Sequence, residues 1–201
     1  MDILALASET DLSSTHGRDL LPAERQRKDP VFKHVREKFG EAVDPKWPRY
    51  RVEVPDGDGV RTFLIGAPAF YAQGMACRGT KGYVAWDIQA QRFAWLKDAW
   101  RLDYERMEPE GVILSKLNAH RVINVPTLVC HGDIRNQKTR TPDIWEAQQP
   151  DEDTSCEQEE YTLRRHAHYR IVVQEVAKPL SEFLSGQHLV SVIVDCVQGM
   201  L

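Results

Sequence analysis

The sequence predicts an α+β fold: an antiparallel five-stranded sheet carrying one main helix, with an extension before it and a further helix after it. Three observations carry this. Two hairpin patterns follow one another between Tyr50 and Trp100, with apolar residues alternating on either side of polar turns. A stretch of helical period comes next, with Ile113, Leu114 and Leu117 on one face. Two more apolar strands and a closing helical run complete the order. The expected divisions are an extension over 1–48, partly disordered with a short helix, a sheet-bearing lobe over 49–184, and a helix over 185–201.

The elements read in order as follows. DPVFKHVREKF places Val31, Phe32, Val35 and Phe39 at helical spacing within an otherwise polar start. YRVEV and RTFLIG alternate around PDGDG, a hairpin signal. GYVAWDI and RFAWLKDAW form a second hairpin across QAQ. EPEGVILSKLNAH is a helix, and Pro109 near its start suits a first helical turn. VPTLVCHG and YRIVVQEV are strands, and a helix begins near Gly186. Between those last strands, about 134–165, lies an acidic stretch with six acidic residues in DEDTSCEQEE. Its length and composition predict a disordered insert.

Composition narrows the function classes. A chain of 201 residues makes one domain or two at most, and 42% hydrophobic with 28% charged residues excludes collagen-like and wholly disordered chains. The formal net charge of −4 offers no basic excess for nucleic acid or an anionic membrane, so neither is expected as a partner. Cys77, Cys130, Cys156 and Cys196 are scattered with no C-x-x-C, which argues against zinc and for a reducing compartment. Asp2 stands where a signal peptide carries positive charge, and no run reaches the ~18–20 apolar residues that span a bilayer. The expectation is an intracellular protein, cytoplasmic or nuclear, not secreted.

Four stretches can carry chemistry. CRGTKGYV, residues 77–84, fits x-x-G-x-x-G-x-V, the later part of a glycine-rich phosphate loop. Gly79 and Gly82 would let main-chain N–H groups approach phosphate oxygens; the plainer reading is a tight turn. Lys97 follows Val84 on the next strand, where an ammonium calls for a partner or for snorkelling to solvent. Glu110 precedes Ile113, Leu114 and Leu117 by three, four and seven residues and so borders an apolar helix face, with Glu105 and Glu108 as rivals. The strand Ile171-Val172-Val173 runs into Gln174-Glu175-Val176-Ala177, a polar connection to the last helix.

Other candidates point elsewhere. His131-Gly132-Asp133 looks like a phosphotransferase H-G-D, but the Asn needed five residues after the Asp would be Lys138. His166 and His168 form H-x-H without an evident third metal ligand. Ser191 and Cys196 lack a nucleophile elbow.

The order of glycine loop, lysine strand, glutamate helix, two strands and connection is that of a protein-kinase small lobe. LIGAPAF, CRGTKGYVAWD, FAWLKDAWR, EPEGVILSKLN, NVPTLVCHGD and HYRIVVQEVAKPLSEF closely resemble the fungal-type protein kinases, over about residues 50–200. The resemblance implies ATP-dependent phosphorylation of Ser/Thr on proteins by the intact family member, with ATP and Mg2+ as cofactors. It implies Gly79, Gly82 and Val84 at the phosphate loop, Lys97 on the α- and β-phosphates, and Glu110 as its partner. Glu175 and Ala177 would meet adenine through backbone atoms.

The chain departs from the family's pattern at two points. Cys77 stands where relatives carry glycine, which narrows the room above the phosphates. The catalytic H-R-D and the metal-binding D-F-G are absent from this sequence. The resemblance therefore implies the start of a truncated large lobe in the last helix, weak or no ATP binding, and no phosphoryl transfer by this chain. The alternative is a kinase-derived pseudokinase or protein-interaction fragment that self-associates through exposed lobe surface.

Overall fold

A computed structural model describes residues 30–73, 78–104, 107–148 and 163–198. The side chains of Val31, Phe32 and Asn136, together with Cys77, Glu105 and the acidic run 151–160, lie outside the described residues.

Helix α1, Pro30–Ala42, is followed by strands β1, Tyr50–Asp56, and β2, Gly59–Ile65. The short β3, Phe70–Tyr71, leads to β4, Lys81–Asp87, and β5, Arg92–Leu102. Helix α2, Glu110–Ala119, precedes β6, Leu128–Lys138, α3, Thr141–Gln148, and β7, His166–Val173. A 3-10 turn at Leu180–Glu182 leads to α4, Gly186–Gln198. Among the described residues no helix is long and apolar enough to cross a membrane.

The sheet is antiparallel in the order β1-β2-β4-β5-β7-β6, with β3 also paired to β4. It therefore has seven strands among the described residues, not the five expected of the sheet: the six runs read as strands all take part, and β3 is added. Strands β3, β4, β5, β7 and β6 make a five-stranded set. The β1–β2 hairpin joins it because Phe63 and Leu64 pair with Asp87 and Trp86, the end of β4 that β3 leaves free. The sheet curls until its outer strands meet: a Cβ on Gly132 of β6 would lie 2.6 Å from the Pro55 ring of β1, and Arg170 donates to the Glu53 carbonyl at 3.0 Å.

Alternation sorts the side chains onto two faces. Inside the curl, Val54, Phe63, Ile65, Ala85, Ala94, Leu96, Cys130 and Val172 form the main core. Desolvation there pushes the Cys130 thiol up to about 12, so it stays a neutral, packed group. Fully buried Asp87 closes one end of this face. Its carboxylate accepts a hydrogen bond from Arg61 Nε at 2.9 Å, forms an ion pair with Arg61 Nη2 at 2.7 Å, and accepts one bond each from the backbone N–H of Gln89 and Ala90, both at 3.1 Å. That set of donors is what a buried carboxylate requires.

The other face carries both flanking helices. Val35, Phe39 and Val43 of the α1 region pack on Val84 and Val176, and Leu114 of α2 packs on Tyr169 and Ile171. Lys97 lies between them, since its register partners Gly82 and Ile171 share its face.

The insert differs from expectation in its first half. Strand β6 runs on to Lys138 through a register shift, and α3 follows, so residues 134–148 are not disordered. Composition missed this because pairings between residues distant in sequence hold the segment. Thr139 and His166 exchange hydrogen bonds, each 2.9 Å, at the base of the insert, and Arg165 pairs with Asp143 in the first turn of α3. Pro142 at the start of α3 is suited to a first turn.

Candidate functional site

Lys97 projects from β5 toward the start of α2, and its Nζ lies 2.5 Å from Glu110 Oε2. The side chains remain 36% and 56% exposed, so the pair sits at a rim and not in the core. The geometry separates Glu110 from a rival. Glu108 is engaged by Lys116 at 2.5 Å, and Glu105 lies outside the described residues. Pro109 occupies the N-cap position, one residue before the first helical turn in which Glu110 stands.

Three contacts fix where α2 begins. The Gly111 N–H donates to the Tyr169 hydroxyl at 2.8 Å. A Cβ on Gly111 would lie 2.1 Å from the His131 ring, so only glycine lets the helix rest there. Leu114 fills the space beside Tyr169 and Ile171. Ile113, predicted on the same apolar face, is 46% exposed and lines the cavity beside Lys97. Burial, the chief influence, pushes the Tyr169 phenol up to about 12.

Lys97 and Glu110 border a cavity of about 540 Å3, whose wall includes Arg78, Thr80, Trp95 and Leu114. Gly79 and Gly82 stand near it in different ways. Gly79 has φ +57°, a left-handed turn conformation that glycine adopts at no steric cost, with the Trp100 ring 3.5 Å from where a Cβ would be. Gly82 pairs with Lys97 in the β4–β5 ladder and lies against the Trp95 ring, whose atoms would be 2.2–3.1 Å from a Cβ.

Val84, Glu175 and Ala177 lie at the other end of this face. Val84 is 1% exposed beneath α1. Ala177 lines a second cavity, about 380 Å3, together with Val84, Trp95 and residues of α1. The Glu175 carboxylate is already used: it accepts from the Thr127 N–H and hydroxyl, each at 2.7 Å, while Gln174 N–H donates to the Thr127 carbonyl at 2.9 Å. These bonds fasten the end of β7 to the start of β6.

The residues of the H-G-D and H-x-H runs have other engagements. Asp133 grips Arg101 through two bonds of 2.7 and 2.5 Å. Burial lowers the His131 pKa, partly opposed by the Asp133 charge. On the opposite face of β5, Asp98 accepts from His168 Nε2 at 2.6 Å and Arg170 Nε at 2.8 Å. Burial works to raise the Asp98 pKa, but those two donors outweigh it and hold the carboxyl below its usual range. Among the described residues no group of three His, Cys, Asp or Glu side chains could hold a metal.

Sequence reasoning found α1 as a helix but missed its place at the site, and it missed the roles of Trp95 and Tyr169 there. Trp95 was within reach of it: two residues before Lys97 on a strand, it must share the lysine's face. The role of Tyr169 and the docking place of α1 depend on long-range pairings that no local pattern encodes.

A model of the family described as fungal protein kinase matches residues 42–201. No curated protein and no solved structure matches the chain.

Proposed function

The chain belongs to the fungal protein kinase family, and from that premise we propose that it carries the nucleotide-binding small lobe of an ATP-dependent protein kinase acting on Ser/Thr. The observation that carries the reading is the 2.5 Å ion pair between Lys97 on a strand and Glu110 on the packed helix. That pair is the arrangement by which kinases hold a lysine on the α- and β-phosphates.

Lys97 would meet the phosphates at the rim of the larger cavity. The loop containing Gly79 and Gly82 would cover them with backbone N–H groups. Val84, Ala177 and the main chain at Glu175 would receive the base. Mg2+, when bound with ATP, neutralises charge on the β- and γ-oxygens. Among the described residues its protein ligands and a base for the substrate hydroxyl are lacking, so this chain should not transfer phosphate.

The test is a calorimetric titration of the 201-residue chain with Mg-ATP, beside Lys97→Ala, and a transfer assay on a generic protein substrate. Weak, saturable, Lys97-dependent binding with no transfer is expected. Binding that ignores Lys97, or transfer above background, would overturn the reading. A second reading, a kinase-derived interaction lobe without nucleotide, is favoured by the filling of the base end by Trp95 and α1. It predicts no nucleotide binding under any condition.

A further inference from the structure

We infer that α1 and the base of a nucleotide compete for one surface, so that this chain binds nucleotide only when α1 lifts away. The inference rests on the proposed nucleotide site and concerns how access to it is controlled.

The surface is the end of the Lys97 face formed by Val84, Trp95 and Val176. A flat aromatic base would need this apolar patch, with the hinge backbone at its edge. In the structure the patch is covered by protein. Phe39 is 0% exposed and Val35 5%, and both belong to one buried cluster with Val84 and Val176. The Phe39 ring lies 5.2 Å from that of Phe93, tilted by 55°. One aromatic ring of the chain thus takes the place that another would require.

The C-terminal end of α1 is fastened as well. Ala67 N–H donates to the Ala42 carbonyl at 2.7 Å, and Arg49 donates to the Val43 carbonyl at 3.1 Å. A Cβ on Gly66 would fall 1.9 Å from the Ala42 carbonyl oxygen, so the helix end sits directly on that backbone. What remains open is the cavity of about 380 Å3 between Ala177, Trp95 and the α1 side chains His34 and Lys38.

The physical chemistry makes this contact reversible. A helix of 13 residues is marginal by itself in water, so α1 is held by its docking. Its described apolar anchors are few, chiefly Val35 and Phe39. Because α1 is tethered to β1 by residues 43–49, it returns at high effective concentration. A competitor of this kind raises the apparent Kd of a ligand by the inverse of the fraction undocked. Lys97 and Glu110 lie beyond the covered patch, so phosphate contacts stay available while the base is excluded.

The experiment compares Mg-ATP titrations of the full chain, Phe39→Asp, and Phe39→Asp with Lys97→Ala. A buried aspartate cannot stay in the patch, so α1 undocks. Binding at least about tenfold tighter in Phe39→Asp is expected, matching a helix docked some nine-tenths of the time. Lys97→Ala should remove that gain. Equal, Lys97-dependent binding by the wild-type chain and Phe39→Asp would overturn the competition while leaving the nucleotide site intact. No binding by either chain would overturn both. Hydrogen exchange on the wild-type chain serves if Phe39→Asp does not fold. Amides of residues 35–42 should exchange faster as Mg-ATP is raised, and no acceleration at any concentration would overturn the inference.

Discussion

Lys97 Nζ and Glu110 Oε2 lie 2.5 Å apart across thirteen residues of sequence, joining the central strand to the first turn of α2. Such a rim pair contributes little to stability, because water screens both partners and the side chains lose rotamer freedom. Lys97→Met should therefore lower the unfolding free energy by less than about 1 kcal/mol. The same change should weaken Mg-ATP binding roughly tenfold or more, the worth of a charged hydrogen bond to phosphate. Urea unfolding and calorimetry on one preparation of Phe39→Asp, with and without Lys97→Met, would show both effects. Equal losses in stability and affinity would contradict this division.

Gly82 lies against the Trp95 ring, not beneath open solvent. A Cβ there would meet ring atoms at 2.2, 2.9 and 3.1 Å, and an indole in a packed cluster has little freedom to move. Gly82→Ala should destabilise the fold by about 1–3 kcal/mol, as overpacking does. Adding Trp95→Leu should recover part of that loss, giving a coupling energy in the double-mutant cycle. Additive effects on the urea midpoint would mean that the contact is not what makes glycine necessary.

Local sequence encoded the elements on which the site depends. Alternation and apolar runs located β1, β2, β4, β5, the start of β6, and β7, because each has one face in a core, and helical period located α1 and α2. The Lys97–Glu110 pair was legible because lysine on an apolar strand and glutamate beside an apolar helix face each need a partner. Other features lay beyond local reasoning. The seventh strand arises from a two-residue pairing, and the end of the insert is held by Thr139 and His166, 27 residues apart. The place of α1 over Val84 depends on tertiary packing, since its amphipathic pattern shows that it must dock but not where. The carboxylate of Glu175 spends its hydrogen bonds on Thr127 for the same reason: only the folded β6–β7 pair brings them together.

Tyr169 sets the start of α2 through one hydroxyl. Its oxygen accepts the Gly111 N–H at 2.8 Å in a buried setting, next to the residue that pairs with Lys97. Tyr169→Phe leaves that N–H unpaired, which should cost about 1–2 kcal/mol. Hydrogen exchange at Gly111 should accelerate by more than that at Leu114, because the loss is local to the first turn. Burial keeps the phenol protonated up to about 12, and because its oxygen is the acceptor, losing that proton would not break the wild-type bond. Unchanged protection at Gly111 in the variant would rule out this role.

His131 makes stability depend on mild acid. Burial lowers its pKa below the usual value of 6.5, and the nearby Asp133 charge only partly compensates. Its Nδ1 is buried with no hydrogen-bond partner among the described residues, and Gly111 and the Tyr169 ring close over it. The unfolded chain therefore takes up the proton first as pH falls below 6.5. Proton uptake by the unfolded state lowers stability with falling pH, until the folded value is passed and the slope vanishes. His131→Phe keeps a ring of similar size and removes the proton site. Urea midpoints measured at pH 7.5 and 5.5 should fall further for the wild-type chain than for His131→Phe, because the variant retains every other titrating group. An equal fall in both would place the acid sensitivity elsewhere.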